Sequence, residues 1–265
     1  MFAFAKKMIL IAGTSKYSAR STRVRSKGFR NPSKKPSHRF VFLIYSLKRN
    51  PETIFHKNLL CGKDLKVDKS IHSAYIQAIR SAQNFIYIEN QYFLGSSFHW
   101  PSYKNAGADH LIPMEIALKI ASKIRKNERF SVYIVIPMWP EGIPTSAAVQ
   151  EILFWQSQTM AMMYKIVANE LERAGLSSCY NPQDYLNWYC LGAREASSPK
   201  SSSLNQQTEN RALCSVQKHR RFMIYVHAKA MIVDDEYIIM GSANINQRSM
   251  DGSRDTEIAM GAYEP

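Results

Sequence analysis

The sequence predicts an α/β fold in which a mixed β-sheet is flanked by helices. Three observations lead to this prediction: 45% of the residues are hydrophobic, strand-sized apolar runs alternate with amphipathic helices, and closely spaced strands follow near the end of the chain. Such a succession is typical of a layered domain with parallel and antiparallel strands in one sheet. At 265 residues the chain is long enough to bury a sizeable core.

Hydrophobic periodicity predicts the individual elements. A helix is predicted from about residue 70, because its apolar residues recur at intervals of three and four. Asp68 or Ser70 can cap this helix. Further helices are predicted over 114–126 and 145–174, the second ending at Gly175. Strands are predicted over 84–89, 130–137, 186–191, 222–227, 229–233, 237–241 and 256–260.

Basic residues are concentrated at the start of the chain. The net charge is +14, but residues 1–50 hold 13 of the 35 lysines and arginines and no acidic residue. Residues 51–265 are nearly neutral, with 22 basic and 21 acidic residues, which argues against a nucleic-acid partner. Residues 1–60 are expected to be disordered, and two interpretations stay open for them: an organelle-targeting segment or a non-homologous one. The polar segment 194–211 is expected to be a flexible excursion.

Other signals bear on the compartment and on the kinds of site. The four cysteines show no Cys-x-x-Cys pair, so neither a zinc site nor a disulfide framework is indicated. No run approaches the roughly 18 apolar residues that would predict a membrane-spanning helix. We therefore expect a protein of the reducing cytoplasm that is soluble or peripherally bound to a membrane.

The densest chemical signal begins at His227. On an extended segment, His227 and Lys229 project from the same face because they are two residues apart. An ammonium can neutralise the oxygens of a phosphodiester, while an imidazole can attack phosphorus or protonate the leaving alcohol. Asp234 follows one strand length later, and Gly241, Ser242 and Asn244 come after the next strand, where a turn can direct N–H groups at phosphate.

The spacing resembles the His-x-Lys-x-x-x-x-Asp and Gly-Ser-x-Asn signature of the phospholipase D superfamily at every motif position. The stretches 86–95, 137–144, 221–226 and 241–261 are similar to the plant phospholipase D enzymes in particular. The resemblance covers about residues 66–265 and does not extend to residues 1–60. It implies that residues 66–265 form the second catalytic half of a phospholipase D-like αβα sandwich.

The resemblance implies hydrolysis of phosphatidylcholine and related phospholipids to phosphatidic acid and a free head group, through a phosphohistidine and at a membrane surface. By position, His227 belongs to the second motif and would be the acid and base, while Lys229 would hold phosphate oxygens. The remaining implied roles are phosphate contact for Gln91, Ser242 and Asn244, and support of the histidines for Asp234 and Glu257. Calcium is expected for the full-length family, although no calcium or other metal site is identified in this sequence.

One departure from the family pattern leaves three hypotheses open. The sequence contains a single His-x-Lys-x-x-x-x-Asp motif, whereas the resemblance implies two, so the chain is expected to be a fragment with little activity alone. A homodimer in which each copy lends one motif is the second hypothesis, and a non-catalytic membrane-binding or regulatory module is the third. Two residue roles also stay open: Gln91 can instead satisfy backbone groups, and Glu257 can pair with Arg254.

Overall fold

The computed structural model describes residues 40–48, 67–194 and 221–263. In these ranges the strands are β1 (Phe40–Lys48), β2 (Val67–Lys69), β3 (Phe85–Asn90), β4 (Ser131–Val135), β5 (Leu186–Tyr189), β6 (Gly192–Arg194), β7 (Arg221–Met223), β8 (Lys229–Val233), β9 (Tyr237–Gly241) and β10 (Glu257–Tyr263). The helices are α1 (Ser70–Ser81), α2 (Ile112–Arg125), α3 (Ala147–Arg173) and the short α4 (Gln247–Met250).

Eight of the described strands form one mixed sheet in the order β2-β1-β10-β9-β8-β3-β4-β5. The pairs β3–β4 and β4–β5 are parallel, and every other neighbouring pair in the order is antiparallel. The remaining two strands, β6 and β7, form an antiparallel ribbon. The predicted mixed sheet is therefore confirmed, and its single change from antiparallel to parallel pairing falls at β3.

One face of the sheet carries the core. Cross-strand register aligns a row of buried side chains across five neighbouring strands, namely Trp188, Ile134, Ile88, Met231 and Ile239. These residues form one hydrophobic cluster with the buried sides of α1, α2 and α3. Because side chains alternate along a strand, the residues between them lie on the other face, where Tyr133 is 36% exposed.

The helices follow the predicted apolar periodicity. The side chain of Asp68 accepts from the Ser70 N–H at 2.9 Å, which supports the start of α1. The long helix α3 stops where Gly175 takes a positive φ of 69°. The Leu176 N–H then donates to the Leu171 carbonyl at 2.8 Å, which is the hydrogen bond expected of a glycine-terminated helix. Among the described helices, none combines the length and the apolar character needed to cross a membrane.

Two boundaries are corrected. Residues 40–48 belong to the segment that we expected to be disordered, yet they form β1, which pairs with β10 over seven residues and with β2. The apolar run 40–45 is thus a sheet strand, and the rest of residues 1–60 lies outside the described residues. The strand predicted over 222–227 is shorter, because regular pairing ends with Met223. Most of the predicted excursion 194–211 also lies outside the described residues.

Candidate active site

The candidate site forms where the end of β3 meets the start of β8. The two strands are antiparallel, with Asn90 opposite Lys229. Pairing continues past the end of β3, since the Gln91 N–H donates to the Ala228 carbonyl at 3.0 Å. Gln91 and Lys229 are 138 positions apart in the chain, and the sheet brings them together.

Three side chains at alternate positions, those of Tyr225, His227 and Lys229, are connected at the start of β8. The Lys229 ammonium donates to Oε1 of Gln91 at 2.8 Å, and Nε2 of Gln91 donates to the Tyr225 hydroxyl oxygen at 3.0 Å. The Tyr225 ring centroid lies 6.3 Å from that of His227. The structure thus places His227 and Lys229 on the same side, as their spacing predicts.

The two charge-bearing groups of the motif differ in their surroundings. His227 is exposed, so a ligand can reach its imidazole. Lys229 is half-buried, and this burial lowers the pKa of its ammonium, while the negative charge of Glu257 acts in the opposite direction. Within the described residues the ammonium donates to Gln91 and to the His227 carbonyl, the latter at 2.7 Å. Since an ammonium has three N–H groups, one remains for a phosphate oxygen.

Glu257 is held by two hydroxyl groups. The Ser249 hydroxyl donates to its Oε1 at 2.7 Å, and the Ser242 hydroxyl donates to its Oε2. Ser242 also accepts from the Ile258 N–H at 3.1 Å. The single hydroxyl proton of Ser242 is therefore engaged with Glu257, so the structure does not place it where a phosphate would receive it. The predicted alternative, a pair between Glu257 and Arg254, does not form among the described residues.

Two asparagines, Asn90 and Asn244, also belong to the candidate site. Asn90 is fully buried, and its Oδ1 accepts from the N–H groups of Tyr92 and Ile245, each at 3.1 Å. This bond ties the segment after β9 to the end of β3. The neighbouring Asn244 keeps a buried Oδ1 that has no hydrogen-bond partner among the described residues. Asn244 and Gln91 both border a cavity of about 490 Å³.

The chain is similar in sequence to known proteins. The family model described as Phospholipase D matches residues 41–265. The chain belongs to the phospholipase D family. It is 61% identical over 227 residues to phospholipase D beta 2 of Arabidopsis thaliana, covering 84% of this chain and 24% of that protein. It is 64% identical over 209 residues to phospholipase D delta of the same plant, covering 79% of this chain and 23% of that protein.

The chain spans about a quarter of the length of these phospholipase D relatives. Among solved structures, a phospholipase D family member, Nuc from Salmonella typhimurium, is similar with a TM-score of 0.36 and 17% identity, covering 86% of this chain and 84% of that chain. The family match begins at residue 41 and so includes all of β1 except Phe40. It therefore starts earlier than the boundary near residue 66 that the motifs alone suggested.

Asp234 is the motif residue that lies away from His227 and Lys229 in the structure. It lies at the opposite end of β8 from Lys229, in a turn where its φ is 56°. Its carboxylate accepts from three consecutive backbone N–H groups, those of Gln83, Asn84 and Phe85, at 2.6, 2.7 and 2.8 Å. Asp234 thereby fixes the start of β3 to the end of β8. The structure thus shows Asp234 aligning the two strands that carry the site, and its expected support of the histidines stays a prediction.

Gly241, which the sequence placed in the predicted phosphate turn, allows two strands to approach each other closely. It ends β9 opposite Ala259 of β10. A Cβ at Gly241 would lie 2.3 Å from the Ile258 carbonyl oxygen and 2.6 Å from the Ala259 Cα. Only glycine permits this close approach of the two strands, and the approach sets Ser242 against Glu257.

Sequence reasoning missed three residues of the candidate site. Tyr225 continues the alternation of His227 and Lys229 by one more step, so the period-two pattern could have found it. Asn90 could have been noticed as an amide at the end of an apolar strand. Ser249 gave no local signal, because its contact with Glu257 depends on the packing of α4.

The calcium that is expected for the full-length family stays a prediction. Among them, no group of three or more histidine, cysteine, aspartate or glutamate residues could hold a metal. The two acidic residues of the predicted site have other partners: Glu257 contacts two hydroxyl groups, and Asp234 contacts backbone N–H groups.

Proposed function

We propose that this chain supplies one half of a phospholipase D active site, which hydrolyses phosphatidylcholine and related phospholipids to phosphatidic acid and a free head group. The observation that carries the proposal is a chain of contacts: the Lys229 ammonium donates to Gln91, Gln91 donates to Tyr225, and the Tyr225 ring lies 6.3 Å from the exposed imidazole of His227. Relatives named phospholipase D, 55–64% identical to the chain, support it.

The proposed reaction has two steps. A histidine from a second motif attacks phosphorus, so that a P–N bond forms while the P–O bond to the head-group alcohol breaks, and the His227 imidazolium gives its proton to that leaving oxygen. Neutral His227 then takes a proton from water, whose oxygen attacks phosphorus and displaces the first histidine. Lys229 compensates the negative charge on the phosphate oxygens in both steps.

The second histidine must come from outside this motif. One imidazole cannot attack phosphorus and protonate the leaving group on its opposite side, and the 265 residues contain a single His-x-Lys-x-x-x-x-Asp motif. The partner motif belongs either to another segment of a longer chain or to a second copy. We propose the first source, with the substrate met at a membrane surface, and expect this chain alone to be nearly inactive.

Phosphate binding tests the half-site without requiring turnover. Isothermal titration with inorganic phosphate should show binding to the wild-type chain, and Lys229→Ala should weaken it about tenfold, the order expected on losing a charge-assisted hydrogen bond at a half-exposed site. Lys165→Ala is the matched control, because Lys165 is an exposed lysine on α3. Equal affinities of the Lys229 and Lys165 variants would refute the proposed phosphate site.

Turnover distinguishes the two sources of the second histidine. If two copies form the site, the rate of phosphatidylcholine hydrolysis rises with the square of chain concentration below the dimer dissociation constant, and sedimentation shows a dimer. If the second motif lies in a longer chain, the rate stays at background at every concentration. Turnover by a species that sediments as a monomer, abolished by His227→Ala, would contradict both.

A further inference from the structure

A cavity of about 490 Å³ opens beside the residues proposed to contact phosphate. Its lining includes the amides Gln91 and Asn244 and the apolar side chains Trp100, Ile152 and Trp155. His227 and Lys229 do not line it. The cavity therefore includes two amides that are proposed to contact phosphate, but not the motif histidine.

Aromatic rings connect this cavity with the surface. The indoles of Trp100 and Trp155 stack at 5.4 Å with an interplanar angle of 17°. Tyr103 packs edge-on against Trp155 at 5.3 Å, and Phe154 packs against the same indole at 4.9 Å. Trp100 is buried, while Tyr103 is 60% exposed. These four residues, which we name the aromatic track, run from the interior to solvent.

The track is held in place before any ligand binds. The Trp100 indole N–H donates to the Gly95 carbonyl at 2.9 Å, and that of Trp155 donates to Glu151 at 3.3 Å. Because both indole N–H groups have protein acceptors, the rings present apolar surfaces to the cavity. An apolar ligand then encounters a preformed site, which reduces the entropy lost on binding.

Polar donors also line the cavity. Arg248 is paired with Asp255 at 2.9 Å, and Arg254 lines the wall beside them. The two guanidinium groups and one carboxylate leave a net positive charge there. Uncharged oxygens such as ester carbonyls suit guanidinium N–H groups, whereas a cationic head group does not suit a wall with this charge.

We propose that the cavity and the aromatic track bind the diacylglycerol portion of the phospholipid, which is the group that stays on phosphorus. This inference rests on the proposed function, because it takes phosphatidic acid as the product. His227 protonates the departing alcohol, so the head group lies on the imidazole side. The retained glycerol then extends toward Gln91 and Asn244, its ester carbonyls meet the arginines, and its first acyl methylenes lie against Trp100, Ile152 and Trp155.

Chain-length dependence of affinity tests the proposal. Isothermal titration of the chain with inorganic phosphate, dibutyrylphosphatidate and dihexanoylphosphatidate, all below micelle-forming concentrations, should show affinity rising with acyl length. Each methylene that is fully buried strengthens binding about fourfold. Ile152→Ser and Tyr103→Ser should reduce this dependence while leaving the affinity for inorganic phosphate unchanged. Leu118→Ser is the control, since Leu118 is 47% exposed on α2 and does not line the cavity.

The outcomes separate this inference from the proposed function. Lys229→Ala should weaken all three ligands by the same factor and leave the dependence on acyl length intact. If the wild type binds the three ligands equally, or if Ile152→Ser keeps the full dependence on length, the acyl site is refuted while the phosphate site stands. If Lys229→Ala changes no affinity but Ile152→Ser removes the dependence, the phosphate assignment fails and the cavity remains an apolar binding site.

Discussion

Replacing Asp234 with alanine should destabilise the fold without removing the phosphate site. The carboxylate of Asp234 accepts from the three backbone N–H groups that begin β3. Alanine removes all three acceptors and must also adopt the positive φ of 56° found there. Asp235 provides a matched control, because it is adjacent, exposed and has a φ of 61°.

The expected loss follows from these contacts. A hydrogen bond to a charged group contributes about 1.5–3 kcal/mol where it is sheltered. Gln83 and Asn84 are exposed, so water replaces much of what their N–H groups lose, whereas Phe85 is half-buried. We therefore expect Asp234→Ala to lower the free energy of unfolding by about 2–4 kcal/mol through the lost bonds. The left-handed backbone adds about 1 kcal/mol for alanine, and Asp235→Ala shares this addition.

Urea unfolding of the wild type and the two variants measures the difference directly, with the slope against urea checked for equality. Phosphate titration under native conditions then shows whether the site survives. The reasoning is refuted if Asp234→Ala and Asp235→Ala have equal unfolding free energies. It is also refuted if Asp234→Ala keeps wild-type stability but loses phosphate binding, since Asp234 would then act in the site itself.

Three further predictions use pH and packing. Burial lowers the pKa of Lys229, and the charge of Glu257 opposes this. Phosphate affinity should therefore fall as pH rises through that lowered pKa. Glu257→Gln should move this fall to lower pH, and an unchanged pH profile would contradict the coupling. Burial lowers the pKa of His110 from 6.5 to about 4, so the unfolded state binds more protons between these values and stability should decline as pH falls from 6.5 to 4. Thermal unfolding across this range should show a smaller decline for His110→Gln, while exposed His99→Gln keeps the wild-type decline; equal declines would refute the assignment. A Cβ at Gly95 would lie 2.1 Å from Nε2 of His110, so Gly95→Ala should lower the free energy of unfolding by about 3 kcal/mol. Gly107→Ala should lower it by about 1 kcal/mol, because only the positive φ of 74° is strained there. Similar losses for the two variants in urea unfolding would count against this packing.

The parts of the fold that follow local periodicity could be predicted from the sequence. Strands β8 and β9 have the predicted bounds, and α1 begins close to the predicted position, at Ser70. The same-side placement of His227 and Lys229 also follows from a local rule, because alternate residues of an extended segment share a face. β1 could not be assigned with the same ease, since its partners β10 and β2 lie elsewhere in the chain and its neighbours suggested disorder.

The residues of the motif also differ in whether their roles depend on local spacing or on contacts with distant strands. In the proposed reaction, His227 and Lys229 act through side-chain groups at the start of β8, so their chemistry could be inferred from residue type and spacing. Asp234, Gly241 and Ser242 instead act through contacts with β3 and β10, which spacing does not reveal. A carboxylate that aligns two strands and a glycine that lets two others approach leave the same sequence pattern as residues that touch phosphate. In the proposed reaction both kinds are needed, because the ammonium and the imidazole must be held in a fixed geometry toward one phosphorus atom, and that geometry depends on the register of β3, β8, β9 and β10.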